Sequence, residues 1–327
     1  MNTTPITHRR NLQHRFGAVL VGAALIGVTA CDNNVANSAT ETVAPTSATA
    51  PAVPSTTTTS TTTALTTTDI VRPTATVDEQ VEVSGHRVHV RCTGHGATTV
   101  LLIAGSETGS ESWNKVEPAV DAQTRVCAYD RPGTGTIDPA TTTETFATQA
   151  TDLHAVLAAV NEPGPYVVVG HSFGGAEAVT FASTFAAEVI GLVLVDASPV
   201  TWPAALCAVA DDHSDAATML RGLCARWSTP LGNVEHLDVF AAFTGVTTIT
   251  SLGSLPITII TAVDRTLPAG LAVAEVARLT HAWNDGQQQW ARLSTDSRVL
   301  PVENTGHHIE LDHPDIVIDA ITRLLPQ

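Results

Sequence analysis

Four short, nearly continuous apolar runs constrain this chain more than any other feature: Val100-Leu101-Leu102-Ile103, Tyr166-Val167-Val168-Val169, Leu192-Val193-Leu194-Val195 and Ile257-Thr258-Ile259-Ile260. A strand with one wet face alternates apolar and polar side chains. These runs instead require cover on both faces, the condition of a strand inside a parallel sheet. Helical spacings separate them: Leu153, Val156, Leu157 and Val160 share one helix face before Pro163-Gly164 ends the element. Val317, Ala320, Ile321 and Leu324 repeat that spacing behind Pro314, which suits a first helical turn. Ahead of all this, Val81 and Val83 alternate with polar residues up to Ser84-Gly85, and Val88 and Val90 alternate after it, which predicts a hairpin. A hairpin followed by alternating strands and helices predicts an α/β fold, a mostly parallel sheet with helices on both faces. From about Pro199 to Ser254 the rhythm lapses and Trp202, Cys207, Cys224, Trp227, Phe240 and Phe243 are scattered without period. We read that stretch, about 199–254, as a cap inserted over the sheet edge.

The folded body begins near Val77, so 77–327 holds one domain of about 250 residues, a usual size for an α/β core. What precedes it has the layout of an export signal. Arg9, Arg10 and Arg15 lead into an apolar run from Phe16 to Ala30, too short for a comfortable membrane span. It closes on Val28-Thr29-Ala30-Cys31, which resembles the lipobox of bacterial lipoproteins, with Cys31 as the lipidated residue. This predicts a signal peptide over 1–30 and a protein held by lipid on the outer face of the bacterial cytoplasmic membrane or in the cell envelope. Residues 31–76, rich in Thr, Ala, Ser and Pro, carry no apolar periodicity to offset ordering entropy and read as a disordered tether. Acidic side chains outnumber basic ones 32 to 16, and no basic cluster offers a phosphate-binding surface. A nucleic-acid partner is thereby excluded.

The sharpest chemical signal is Gly170-His171-Ser172-Phe173-Gly174, directly after one apolar run and before a helical pattern through Ala176, Val179 and Phe181. A tight strand-to-helix turn needs small residues on either side of its central one, which then projects a nucleophile from the sheet edge. A helix-capping serine is the bland alternative. With this motif, Tyr129-Asp130-Arg131-Pro132-Gly133-Thr134-Gly135 and Thr305-Gly306-His307 resemble the α/β-hydrolase superfamily over about Val81 to Leu325.

The resemblance implies the α/β-hydrolase fold with Ser172 as nucleophile and His307 as general base, since the base follows the small Gly306; neighbouring His308 is the competitor. For the acid it leaves two candidates. Asp264 lies in the loop after the Ile257–Ile260 run, a form similar to the family's acid loop, and Asp196 ends the preceding run at the alternative location some relatives use. The oxyanion donors would be the backbone N–H groups of Phe173 and Ser106. Trp113 is either site lining or core. The remaining histidines show no metal-ligating spacing. In the family's sheet the second and fourth strands are neighbours, which implies Cys92–Cys127, with Cys207–Cys224 closing a short loop in the cap. The expected activity is hydrolysis of a small carboxylic ester through an acyl-enzyme, with no metal or organic cofactor. C–C or amide hydrolysis, cofactor-free peroxidation and a non-catalytic binding module are the alternatives.

Overall fold

The structure is a computed structural model that describes residues 74–209, 214–265 and 267–326. The expected signal peptide, Cys31 and all but the last three residues of the tether lie outside the described residues. Among the described residues, no helix is long and apolar enough to cross a membrane.

The strands are β1 (Val77–Val83), β2 (His86–Thr93), β3 (Thr99–Ile103), β4 (Arg125–Asp130), β5 (Tyr166–His171), β6 (Val189–Val195), β7 (Ile257–Ala262) and β8 (Ser297–Val302). They form one eight-stranded sheet in the order β1-β2-β4-β3-β5-β6-β7-β8. β1 and β2 make the expected hairpin. Its turn residues Ser84 and Gly85 both take left-handed φ values, 50° and 82°, as a two-residue turn between twisted strands demands. The Ser84 hydroxyl donates to Asp152 at 2.5 Å and pins the tip. β2 also pairs antiparallel with β4, and every other pairing is parallel.

The helices are α1 (Glu117–Asp121), α2 (Phe146–Ala159), α3 (Phe173–Thr184), α4 (Trp202–Cys207), α5 (Asp215–Trp227), α6 (Val239–Val246), α7 (Val273–Ala291), α8 (Ile309–Asp312) and α9 (Pro314–Thr322). Because β3, β4 and β5 are buried along their whole length, alternate residues enter two separate cores. Leu101 and Ile103 belong to the core that also holds residues of α2, α3 and α7, while Val100 and Leu102 belong to the one that holds residues of α1 and α9. Period-two alternation is thus present in these strands, hidden from the sequence because both faces are apolar. Trp113 is fully buried in the second core.

Between β6 and β7 the chain leaves the sheet to build α4, α5, a 3-10 turn at Pro230–Gly232 and α6. This insertion is tied to the body by a parallel bridge between Leu237 and Glu144, just ahead of α2. Phe243 of α6 meets Phe146 and Phe173 edge-on. Cys92 and Cys127 face each other across β2 and β4 and are disulfide-bonded. Cys207–Cys224 joins α4 to α5 across a separation of 17 residues.

Closing a loop of that size stabilises by about 3 kcal/mol through the unfolded chain. The double variant Cys207→Ser/Cys224→Ser is therefore expected to open the insertion to limited proteolysis while far-ultraviolet circular dichroism stays native. Proteolytic resistance equal to the parent chain would contradict the role given to this bond.

Candidate active site

Only Ser172 separates β5 from α3, and the chain can turn there because its backbone enters the left-handed half of conformational space, at φ 53° and ψ −122°. Such a conformation costs on the order of 1–3 kcal/mol for a residue with a side chain and persists only where the surroundings enforce it. They do so here through glycine. A β-carbon at Gly170 would stand 2.3 Å from the Gly174 carbonyl oxygen, and one at Gly174 would stand 2.3 Å from that of Ala104. The Phe173 N–H opens α3 and has no acceptor within the helix, so it remains available at the positive end of the helix dipole.

His307 arrives from the loop after β8. Its Nε2 lies 2.9 Å from Ser172 Oγ and its Nδ1 lies 2.7 Å from Asp196 Oδ2. Asp196 is fully buried at the end of β6. Its Oδ1 accepts from the Ala262 N–H, the Thr261 hydroxyl and the Trp283 Nε1–H, at 3.2, 3.2 and 3.1 Å. Its Oδ2 also accepts from Arg265 Nη1 at 3.0 Å. Burial alone would push this carboxyl up. The bond to His307, the nearby charges and the Ala262 N–H outweigh it and hold the pKa below the ordinary carboxylate value.

Asp264, the other candidate acid, is not at the imidazole. β7 ends at Ala262, and by Asp264 the chain has turned outward, so its carboxylate is exposed and accepts the Asn304 N–H at 2.9 Å. Asp196 instead continues β6 directly, with its N–H on the Ile260 carbonyl at 2.7 Å and its φ at 39°. His308 is half exposed and bonds Glu310 at 2.9 Å, away from Ser172. Ser106 and Phe173 both line the cavity beside Ser172, whereas Trp113 belongs to the core.

Three further residues take part to which the sequence reading assigns no role. Arg265 lies 3.1 Å from His307 Nδ1, with its guanidinium 3.3 Å from the Trp283 ring centre and 5.0 Å from that of Trp202. Burial lowers the His307 pKa, Asp196 raises it, and the positive charge of Arg265 lowers it again. Ser198 brings its hydroxyl to 3.3 Å from that of Ser172. His171 is fully enclosed and kept neutral, with its pKa pushed down to about 4 by burial. Its Nε2–H donates to the His307 carbonyl at 2.9 Å and fixes that loop. His171, His308 and Glu310 offer ligand atoms within 4.8 Å of one another; His171 Nε2 is engaged by the His307 carbonyl and His308 Nδ1 by Glu310.

The cavity over Ser172 has a volume of about 240 Å³. Its polar floor comes from the body, while Trp202, Leu206, Leu220, Leu223 and Trp227 of the insertion supply apolar walls. The arrangement sets a hydroxyl, an imidazole and a buried carboxylate in one hydrogen-bonded line, with Phe173 and Ser106 beside the hydroxyl, a set of groups that can carry out acyl transfer.

Residues 92–320 match the Alpha/beta hydrolase family, and the chain belongs to it. "Uncharacterized protein YqjL" of Bacillus subtilis (strain 168) is 26% identical over 231 residues, 70% of this chain and 83% of that protein. A 2-hydroxy-6-oxononadienedioate/2-hydroxy-6-oxononatrienedioate hydrolase of Cupriavidus pinatubonensis is 35% identical over 114 residues, 33% of this chain and 39% of that protein. Among solved structures, Est816, described as an N-acyl homoserine lactone degrading enzyme, superposes with a TM-score of 0.54 and 18% identity, over 76% of this chain and all of that one.

Asp196→Asn is expected to lower turnover by about 10³–10⁴-fold, because an amide presents the wrong partner to the imidazole tautomer. Asp264→Asn should stay near the parent rate, and a reversal of that order in steady-state kinetics would reassign the acid. Arg265→Gln removes a positive charge that disfavours imidazolium. The His307 pKa then rises, and the acid limb of the kcat/KM profile should move to higher pH; an unmoved limb would show that Arg265 does not act on the base.

Proposed function

We propose that the protein is a serine hydrolase that cleaves a small, largely apolar carboxylic ester. The observation that carries this reading is the continuous relay from Asp196 through His307 to Ser172, at 2.7 and 2.9 Å, opening into an apolar cavity. Ser172 Oγ attacks the acyl carbon while its proton passes to His307 Nε2, and the N–H groups of Phe173 and Ser106 receive the oxyanion. The C–O bond then breaks, and the imidazolium returns its proton to the leaving alkoxide. Water gives a proton to His307 as it attacks the acyl-serine carbonyl; the bond from the acyl carbon to Oγ then breaks, the carboxylic acid leaves and the imidazolium returns the proton to Ser172 Oγ. Each step uses groups of the chain itself.

The compound that Est816 is named for degrading, an N-acyl homoserine lactone, contains an amide and a cyclic ester, both acyl bonds, which supports acyl transfer as the reaction class. The relative named for hydrolysis of unsaturated dioates keeps carbon–carbon cleavage as the second reading. A cavity of about 240 Å³ falls below the usual range of about 300–1,000 Å³ for ligand pockets and favours short acyl chains. We also propose that the protein is exported and anchored through Cys31. Two disulfides in the body support an oxidising compartment.

The test is a graded series of p-nitrophenyl esters together with a fluorophosphonate probe. Short esters should turn over fastest, the probe should label Ser172, and Ser172→Ala should lose several orders of magnitude in turnover. Undiminished hydrolysis in that variant would end the proposal, and absence of labelling would favour a binding module.

A further inference from the structure

The Ser106 N–H can receive an oxyanion only if the loop that carries it is held to within about 0.5 Å, and locally the Thr108 hydroxyl donates to the Gly105 carbonyl at 3.0 Å. Residues 104–107 follow β3 as Ala-Gly-Ser-Glu. The loop presses directly on the elbow: a β-carbon at Gly105 would lie 3.1 Å from His171 Nδ1 and 3.2 Å from Ser172 Cβ. Glu107, just past Ser106, stands in the left-handed region at φ 58°. That strain needs an external partner.

The partner comes from a distant part of the chain. Glu235, in the insertion between the Pro230–Gly232 turn and α6, is almost completely buried. Its Oε1 accepts the Glu107 N–H at 2.6 Å, and its Oε2 accepts Arg131 Nε at 2.7 Å. Arg131 in turn donates from Nη1 to the Ala104 carbonyl at 3.0 Å and from Nη2 to the Gly105 carbonyl at 2.6 Å. Three backbone atoms flanking Ser106 are therefore gripped through one carboxylate and one guanidinium. A planar guanidinium fork fixes both carbonyls at once, which a flexible ammonium does not. The carboxylate is itself seated by the body. At Gly133, in the turn that bears Arg131, a β-carbon would fall 1.9 Å from the Val234 carbonyl oxygen, so the two backbones are in direct contact. Glu144 receives the Asp238 N–H at 2.9 Å and donates its own N–H to the His236 carbonyl at 3.0 Å.

We infer that Glu235 is a positioning residue for the oxyanion site: acting directly on Glu107 and through Arg131 on Ala104 and Gly105, it holds the Ser106 N–H in register with Ser172. This rests on the acyl-transfer reading above. Its consequence is that the insertion, besides walling the cavity, completes the catalytic geometry.

The experiment compares the parent chain with Glu235→Gln and Arg131→Lys, each first confirmed folded by thermal melting. Glu235→Gln keeps an oxygen for the Glu107 N–H but gives up the nearer charged acceptor of Arg131, leaving Glu177 at 3.3 Å from Nη1. Arg131→Lys keeps the cation but loses the two-carbonyl fork. Loss of one oxyanion donor costs about 10²–10³ in kcat, so a displaced donor is expected to cost about 10- to 100-fold. KM should stay within about threefold, since the donor acts on the transition state. The maximal rate of fluorophosphonate labelling at Ser172 should fall in parallel, because phosphonylation places an oxygen at the same site, while half-saturation of the probe holds. Labelling is read whether or not an ester is turned over, so a parent chain that labels but hydrolyses no ester counts against the ester reading and leaves the positioning role measured. Folded variants that label and turn over within twofold of the parent, or that lose only in KM, overturn it. If Glu235→Gln does not fold, Arg131→Lys decides by the same two results.

Discussion

The left-handed backbone of Ser172 exists only because Gly170 and Gly174 leave room for carbonyl groups at 2.3 Å from where side chains would begin. That close approach locks β5, α3 and the end of β3 together, and everything chemical in the molecule is referred to it. Sheet order does the rest. β3, β5, β6, β7 and β8 lie side by side in that sequence, and their carboxyl ends deliver the Ser106 loop, Ser172, Asp196, Arg265 and His307 respectively. Each neighbour contributes one part, and ligand sites at this edge of a parallel sheet are the general rule for such folds.

Electrostatics at the base is a balance among three groups packed against one another. Asp196 is ionised in a fully buried position because four protein donors besides His307 share its two oxygens. Arg265 cancels part of that negative charge and is itself weakened, with burial lowering its pKa to about 10. Its flat guanidinium lies on Trp283 at 3.3 Å, a geometry that suits arginine and not lysine. The imidazole therefore sees less stabilisation of its charged form than a lone carboxylate would give.

How much of this could be read without coordinates follows from how local each signal is. The elbow around Ser172 and the Gly306-His307 step are local, since small residues and their flanking strand and helix adjoin in the chain. Buried strands were legible as apolar runs, though not which residue of β3 faced which core. Which aspartate meets the imidazole was not legible, because Asp196 and Asp264 both follow a strand and differ only in how the chain leaves it, one still bonded to β7 through the Ile260 carbonyl and the other turned out to solvent. Arg265, Ser198 and Glu235 owe their places wholly to tertiary packing. Glu235 stands between Val234 and His236 in a stretch without period, so nothing local marks it.

Cavity walls and reaction centre come from different stretches of chain, which invites the view that insertions on this fold are interchangeable parts. Glu235 argues against free interchange here. A recombinant chain that received a foreign insertion would gain new walls at 202–227, but it would also lose the carboxylate that seats Arg131 and Glu107, two residues of the body. The graft would remove the nearer of the two carboxylates paired with the buried Arg131 and leave only Glu177, at 3.3 Å, and taking one partner from a buried ion pair is destabilising. Divergence of substrate range in chains built this way is channelled toward point changes in α4 and α5, with the stretch from Asn233 to Asp238 inherited alongside the sheet.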